Sequence, residues 1–186
     1  AVQRTLTVNK AVLTASADAQ TKLYGDINPA LTISYTGFFG TDDESDLTTP
    51  PLASTTATEL SGVGTYPITL SGGVAANYDI DLIDGLLTVE KAPLTANAIN
   101  QSKIYGDLNP LLAISYSGFK NSDHLLLIDT RPTSSTTATT TSSVGTYPIS
   151  LTGGLDDNYY FVLVNGTLTI TQANLIATAD AKTKVY

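Results

Sequence analysis

The chain has 186 residues, a net charge of −8, 14% charged residues and no Cys, Met or Trp. An acidic chain has no electrostatic route to phosphate backbones, which argues against a nucleic-acid partner. The missing Cys removes thiol chemistry and disulfides, and no run approaches the roughly 18 apolar residues of a membrane span, so no direct membrane insertion is expected.

Residues 11–91 align with 92–172 without a gap, and 42 of the 81 positions are identical. This is a tandem array. Residues 1–10 match 82–91, and 173–186 match 92–105. The expected organisation is therefore the end of a preceding repeat over 1–10, repeats at 11–91 and 92–172, and the start of a following repeat over 173–186. Acids outnumber bases 11 to 2 in the first copy but only 5 to 3 in the second.

Within one copy, Leu13–Ala17 alternates apolar and polar residues and predicts a half-buried strand with small inward residues. Tyr24-Gly25-Asp26 and Asn28-Pro29 supply turn chemistry. Leu31–Tyr35 is a second alternating strand, ending at Gly37-Phe38. The loop 39–48 is where the copies diverge most from 120–129, and a short helical turn capped by Asp42 or Asp123 fits there. Ser54–Thr58 predicts an edge strand. Thr65–Leu70 predicts a strong strand whose Pro67 must face an edge, a bulge or a strand end, and which Gly72-Gly73 ends. Asp84-Gly85 and Asn165-Gly166 read as two-residue hairpin turns. Six or seven strands per copy suit an all-β, Ig-like β-sandwich. The alternative is a β-grasp-like arrangement with a short helix after the second strand. Leu86 runs through Lys91-Ala92-Pro93 without any Gly/Ser-rich linker, so two such repeats are expected to form an elongated rod.

Few residues suggest chemistry. Asp42, Asp43, Glu44 and Asp46 are candidate ligands for Ca²⁺, which takes several oxygens. Against this, the second copy has Asp123, His124, Leu125 and Leu127 at those positions, and a solvated acidic loop or helix cap is the plainer reading. His124, the one histidine, has neither a triad nor a zinc set around it in the pattern. Tyr24, Tyr66, Tyr78, Tyr105, Tyr147 and Tyr159 fit core filling with hydroxyls at the rim better than a sugar-stacking stripe. Leu125–Ile128 reads as a buried turn rather than an exposed contact patch. Lys22 with Asn77, and Lys103 with Asn158, are the pairs to check for an isopeptide crosslink. No catalytic or cofactor-binding residue is expected, and the chain does not read as an enzyme.

The blocks K-x-YGD-x-NP, SY-x-GF, VGTYPI, GG-x(3)-NY and GTLTI, in this order, resemble the MBG domain of the YGX type. The resemblance spans both copies and both flanking pieces. It implies an extracellular role in a large, repetitive bacterial surface or secreted protein, often an adhesin, with no binding residues to carry over. Two roles follow as expectations. One is a spacer or stalk whose partners are the neighbouring repeats. The other is a module that binds mucin, host or surface glycans, or protein through loops 39–48 and 120–129.

Overall fold

A computed structural model describes residues 3–186. The first copy contains β1 (Ala11–Ala17), β2 (Gln20–Leu23), β3 (Ile33–Thr36), β4 (Thr49–Thr55), β5 (Gly64–Val74), β6 (Tyr78–Ile83) and β7 (Gly85–Glu90). The second repeats them as β8 (Ala92–Ala98), β9 (Gln101–Ile104), β10 (Ile114–Ser117), β11 (Thr133–Thr136), β12 (Gly145–Thr152), β13 (Tyr159–Val164) and β14 (Gly166–Thr171). The chain folds into two compact units. Unit 1 takes the residues up to Ala92 with Phe119–Asp123 and Asp157–Tyr160, and unit 2 takes Pro93–Gly118, His124–Asp156 and Phe161–Tyr186.

Each copy builds two sheets. In the first copy the orders are β3-β1-β6 and β2-β7-β5-β4. The second copy has β10-β8-β13 and β11-β12-β14-β9. β1 and β2 are consecutive yet lie in different sheets, and each pairs in parallel with a late strand, β1 with β6 and β2 with β7. All other pairs of the first copy are antiparallel. Residues from both sheets meet in one core, Ala15 and Ala17 against Ile68, Leu70 and Leu87. Ile68 and Leu87 are fully buried, worth about 1.5–3 kcal/mol each. The alanines of β1 let the sheets approach closely. The second core repeats this with Ala96 and Ala98 against Ile149, Leu151 and Leu168.

This is an all-β sandwich. Where a β-grasp arrangement would place a helix there is only a three-residue 3-10 turn, Glu44–Asp46 in the first copy and Leu125–Leu127 in the second. Asp43 caps the first turn, one residue later than expected, and His124 holds the matching position in the second without a side-chain capping bond. Pro67 behaves as its chemistry requires. β7 pairs with β5 across Gly64–Ile68, and β4 joins the other edge only from Ile68 onward. The side of Pro67 that lacks an N–H thus faces no strand.

Several expectations need correction. β2 and β9 are short strands, just before the Tyr-Gly-Asp turns, that the reading of one copy did not mark. β5 continues through Gly72 and Gly73 to Val74, whereas β12 stops at Thr152, before Gly153. The Asp84-Gly85 pair does not close a hairpin, because β6 and β7 belong to different sheets. Leu125–Ile128 is only partly buried: Ile128 is inside, while Leu126 and Leu127 are exposed.

Candidate functional site

The two Tyr-Gly-Asp motifs follow β2 and β9. Each sits on the same scaffold. The Lys22 ammonium, on β2, donates to the carbonyls of Asp26 at 2.9 Å and Thr58 at 2.7 Å. Lys103 does the same to Asp107 and Thr139, at 2.9 and 2.7 Å. Asn28 and Asn109 donate to the carbonyls of Ala57 and Ala138. Both motifs are thereby tied to the loop that follows the edge strand. Lys22 and Lys103 are buried, and these carbonyls, rather than Asn77 or Asn158, are the acceptors of their ammonium groups.

In unit 1 the motif has company. The Tyr24 ring meets Tyr159 edge-on with centroids 5.5 Å apart. Tyr24 and Tyr159 donate to the same Asp123 oxygen, at 3.0 and 2.7 Å. The Lys120 N–H donates to the Tyr159 hydroxyl at 2.8 Å, and its ammonium pairs with Asp26 at 2.8 Å. Val63 N–H donates to the Asn158 side chain at 3.0 Å. Gly25 has φ +79°, and a Cβ there would lie 2.3 Å from Lys120 Cβ. Glycine is needed both for the backbone and for the approach.

Burial, reinforced by the hydrogen bond to Asp123, raises the Tyr159 phenol far above its ordinary range. Tyr78, which donates to Asp42 at 2.7 Å, is raised first by that bond. Both hydroxyls therefore serve as protonated donors that position carboxylates, not as nucleophiles. Tyr66 and Tyr147 donate to Gly62 and Ser143 carbonyls and pack on the cores, whereas Tyr105 is 48% exposed.

The acidic loop is engaged in capping. Asp43 accepts from the Ser45 N–H and hydroxyl, at 2.8 and 2.6 Å, which holds its carboxyl below the usual range. Asp46 accepts from the Asp43 N–H at 2.9 Å, completing a capping box. Asp42 accepts from the Tyr78 hydroxyl instead, and Glu44 stands exposed in the turn. Among the described residues, no three His, Asp or Glu side chains are grouped as a metal site. His124 is exposed.

Asp123, as the acceptor for Tyr24 and Tyr159, and Asn158, as the acceptor for the Val63 N–H, were not singled out from sequence. The available signal was their identity with Asp42 and Asn77, one period earlier.

A two-sheet sandwich repeated in tandem, with a Tyr-Gly-Asp turn anchored by a buried lysine in each copy, defines the class: a tandem β-sandwich repeat protein. The family model for the MBG domain (YGX type) matches residues 13–88 and again 94–169. The chain belongs to that family, which is typical of bacterial surface proteins. No curated protein matches it. Among the described residues, no helix is long and apolar enough to cross a membrane.

Proposed function

We propose that these repeats are structural spacers in a large extracellular adhesin, surface-bound or secreted, holding a distal binding domain away from the cell. The observation that carries this reading is the junction. β7 ends at Glu90 and β8 begins at Ala92, so Lys91 alone separates them. A decoupling linker would need a run of flexible residues. Pro93 further restricts the backbone there. The capped acidic loop and the protonated tyrosines support a role in holding structure rather than in turnover.

Small-angle scattering tests the reading. At about 3.3 Å per strand residue, two copies end to end should give a longest dimension of roughly 70–90 Å. A compact profile, or one that reports broad bending between the copies, would overturn it. A second reading, a module that binds glycan or protein, is favoured by Leu126 and Leu127, which are 76% and 58% exposed in the divergent loop. Retention of the chain on mucin or a glycan array, abolished by Leu126→Ser, would select that reading.

A further inference from the structure

β13 ends its sheet, whose order is β10-β8-β13, so its outer side meets no other strand among the described residues. Its sequence, Tyr159-Tyr160-Phe161-Val162-Leu163-Val164, carries no charge and no proline. Edge strands are normally blunted by charge, proline or a bulge. The first copy follows that rule. Its edge strand β6 reads Tyr78-Asp79-Ile80-Asp81-Leu82-Ile83, with both aspartates exposed. The second copy has Tyr160 and Val162 in their places, 50% and 41% exposed. The openness belongs to the fold rather than to either end of the chain. Leu82 and Leu163 are both 37% exposed, although another copy follows the first and another precedes the second.

We propose that β13 is a self-association edge, where two molecules of this chain join their sheets by antiparallel pairing about a two-fold axis at Val162. The register follows from the backbone. The Ala92 N–H donates to the Asn158 carbonyl at 3.0 Å, as Ala11 does to Asn77 at 2.9 Å in the first copy. Alternation then turns the N–H and C=O groups of Phe161 and Leu163 outward. Phe161 of one molecule and Leu163 of the other exchange both their hydrogen bonds, and the symmetric pair does the same. Val162 then lies opposite Val162, and Tyr160 opposite Val164, as β-branched and aromatic neighbours that stabilise a sheet. Charge favours a second copy in this orientation. The joined strands are neutral, and antiparallel pairing sets Asp156-Asp157 of the two molecules at opposite ends of the joint, near the uncharged Asn165-Gly166 corner of the other. The same operation on β6 would set Asp81 against Asp81, and like charges directly opposite are destabilising. One edge per molecule is therefore competent. The same surface serves on both sides, so the contact closes as a dimer. The joint is small and each chain carries a net charge of −8, so association is weak and strengthens with salt, which screens the repulsion.

This inference stands whether or not the chain is a spacer. Sedimentation equilibrium of the full chain, over concentrations up to the millimolar range, tests it. The weight-average mass should rise from 19.5 kDa toward twice that value and no further, more steeply at high salt. Val162→Asp introduces the residue that the first copy carries at this position, and should hold the mass at the monomer value. Asp79→Tyr with Asp81→Val gives the first copy an open edge, and should carry the mass beyond the dimer. The register has its own readout. Cα atoms directly opposite in a non-hydrogen-bonded pair lie about 4.5 Å apart, a span that a disulfide fits. The chain has no Cys. With oxidised glutathione, Val162→Cys should therefore give a disulfide dimer, while Tyr160→Cys, which faces Val164, should give little. A wild-type chain that stays monomeric throughout, a Val162→Asp chain that associates as the wild type does, or equal crosslinking at 160 and 162 would overturn the proposal.

Discussion

Lys22 shows how a charged residue can organise a fold made mostly of apolar and hydroxyl side chains. It is 7% exposed, and the acceptors around its ammonium are two carbonyls. Burying a cation without an anion is costly, while hydrogen bonds from a charged donor contribute about 1.5–3 kcal/mol each. Lys22→Met keeps the stem, removes the charge and leaves the Asp26 and Thr58 carbonyls without their donor. The expected net effect in denaturant unfolding is a loss of roughly 1–3 kcal/mol, the orphaned carbonyls outweighing the relief of desolvation. An unchanged or raised midpoint would show that desolvation dominates. From sequence, Lys22 and Lys103 are visibly repeated, but a lysine in an alternating pattern reads as outward. Nothing local says that its ammonium turns in to meet the loop beyond β4, because that loop arrives from 36 residues away.

The corner between β6 and β7 makes the same point for a pair of elements. Asp-Gly between two apolar runs is the usual signal for a tight hairpin. Here the chain crosses from one sheet to the other. Asp84 accepts from the Leu70 N–H at 2.9 Å, and Asn165 accepts from Leu151 at 3.0 Å. Gly85 does not have positive φ. Its missing side chain matters because a Cβ would lie 2.5 Å from the Ala17 carbonyl oxygen, with Gly166 in the same position against Ala98. Three substitutions separate the two explanations. Asp84→Asn should be nearly neutral, since the second copy uses Asn there. Asp84→Ala should cost about 1–3 kcal/mol by orphaning a buried N–H. Gly85→Ala should cost about 1–3 kcal/mol or more, because backbone must shift. Thermal melts of the three variants are the measurement, and a neutral Gly85→Ala would contradict the packing argument. Sequence pattern revealed that a strand break falls at Asp84. Which sheet each flanking strand joins depends on long-range pairing with β1 and β5, and no local signal carries it. By contrast, β1 and β5 were legible because alternation and the Pro67 rule act within the strand itself. The Tyr24 site was legible only as a repeated motif, since Asp123 lies 99 residues beyond Tyr24 and Asn158 lies 95 beyond Val63.

At the scale of the whole chain the two copies share a fold but not a charge. The first carries most of the acids, and two of them perform local work that the second copy lacks. Asp18 accepts from Thr32 and Ser34 at 2.6 and 2.7 Å, and Asp43 accepts from Ser45. Their counterparts are Ile99 and His124. These hydrogen bonds lower both carboxyl groups below the ordinary Asp value of 3.8. A group lowered in the fold contributes stability that is complete above its unfolded value and vanishes as pH falls through the folded one. Acid therefore removes support from the β1–β3 pair and the 3-10 turn of the first copy. A second effect opposes it, since protonation also relieves the repulsion among the first copy's acids. That repulsion acts over distance and is screened within about 8 Å at 0.15 M salt, whereas the hydrogen bonds act in contact and survive screening. At physiological salt the contacts should win. Both carboxylates are exposed, so the effect is small and local rather than a global collapse. Amide exchange followed as pH drops from 5 to below 3.8 should show residues 14–18, 33–36 and 43–47 losing protection before 95–99, 114–117 and 124–128. Asp18→Asn should remove the pH dependence at 14–18 and 33–36 while leaving that at 43–47 in place. Equal loss in both copies, or greater loss in the second, would show that these two carboxylates do not govern the acid response.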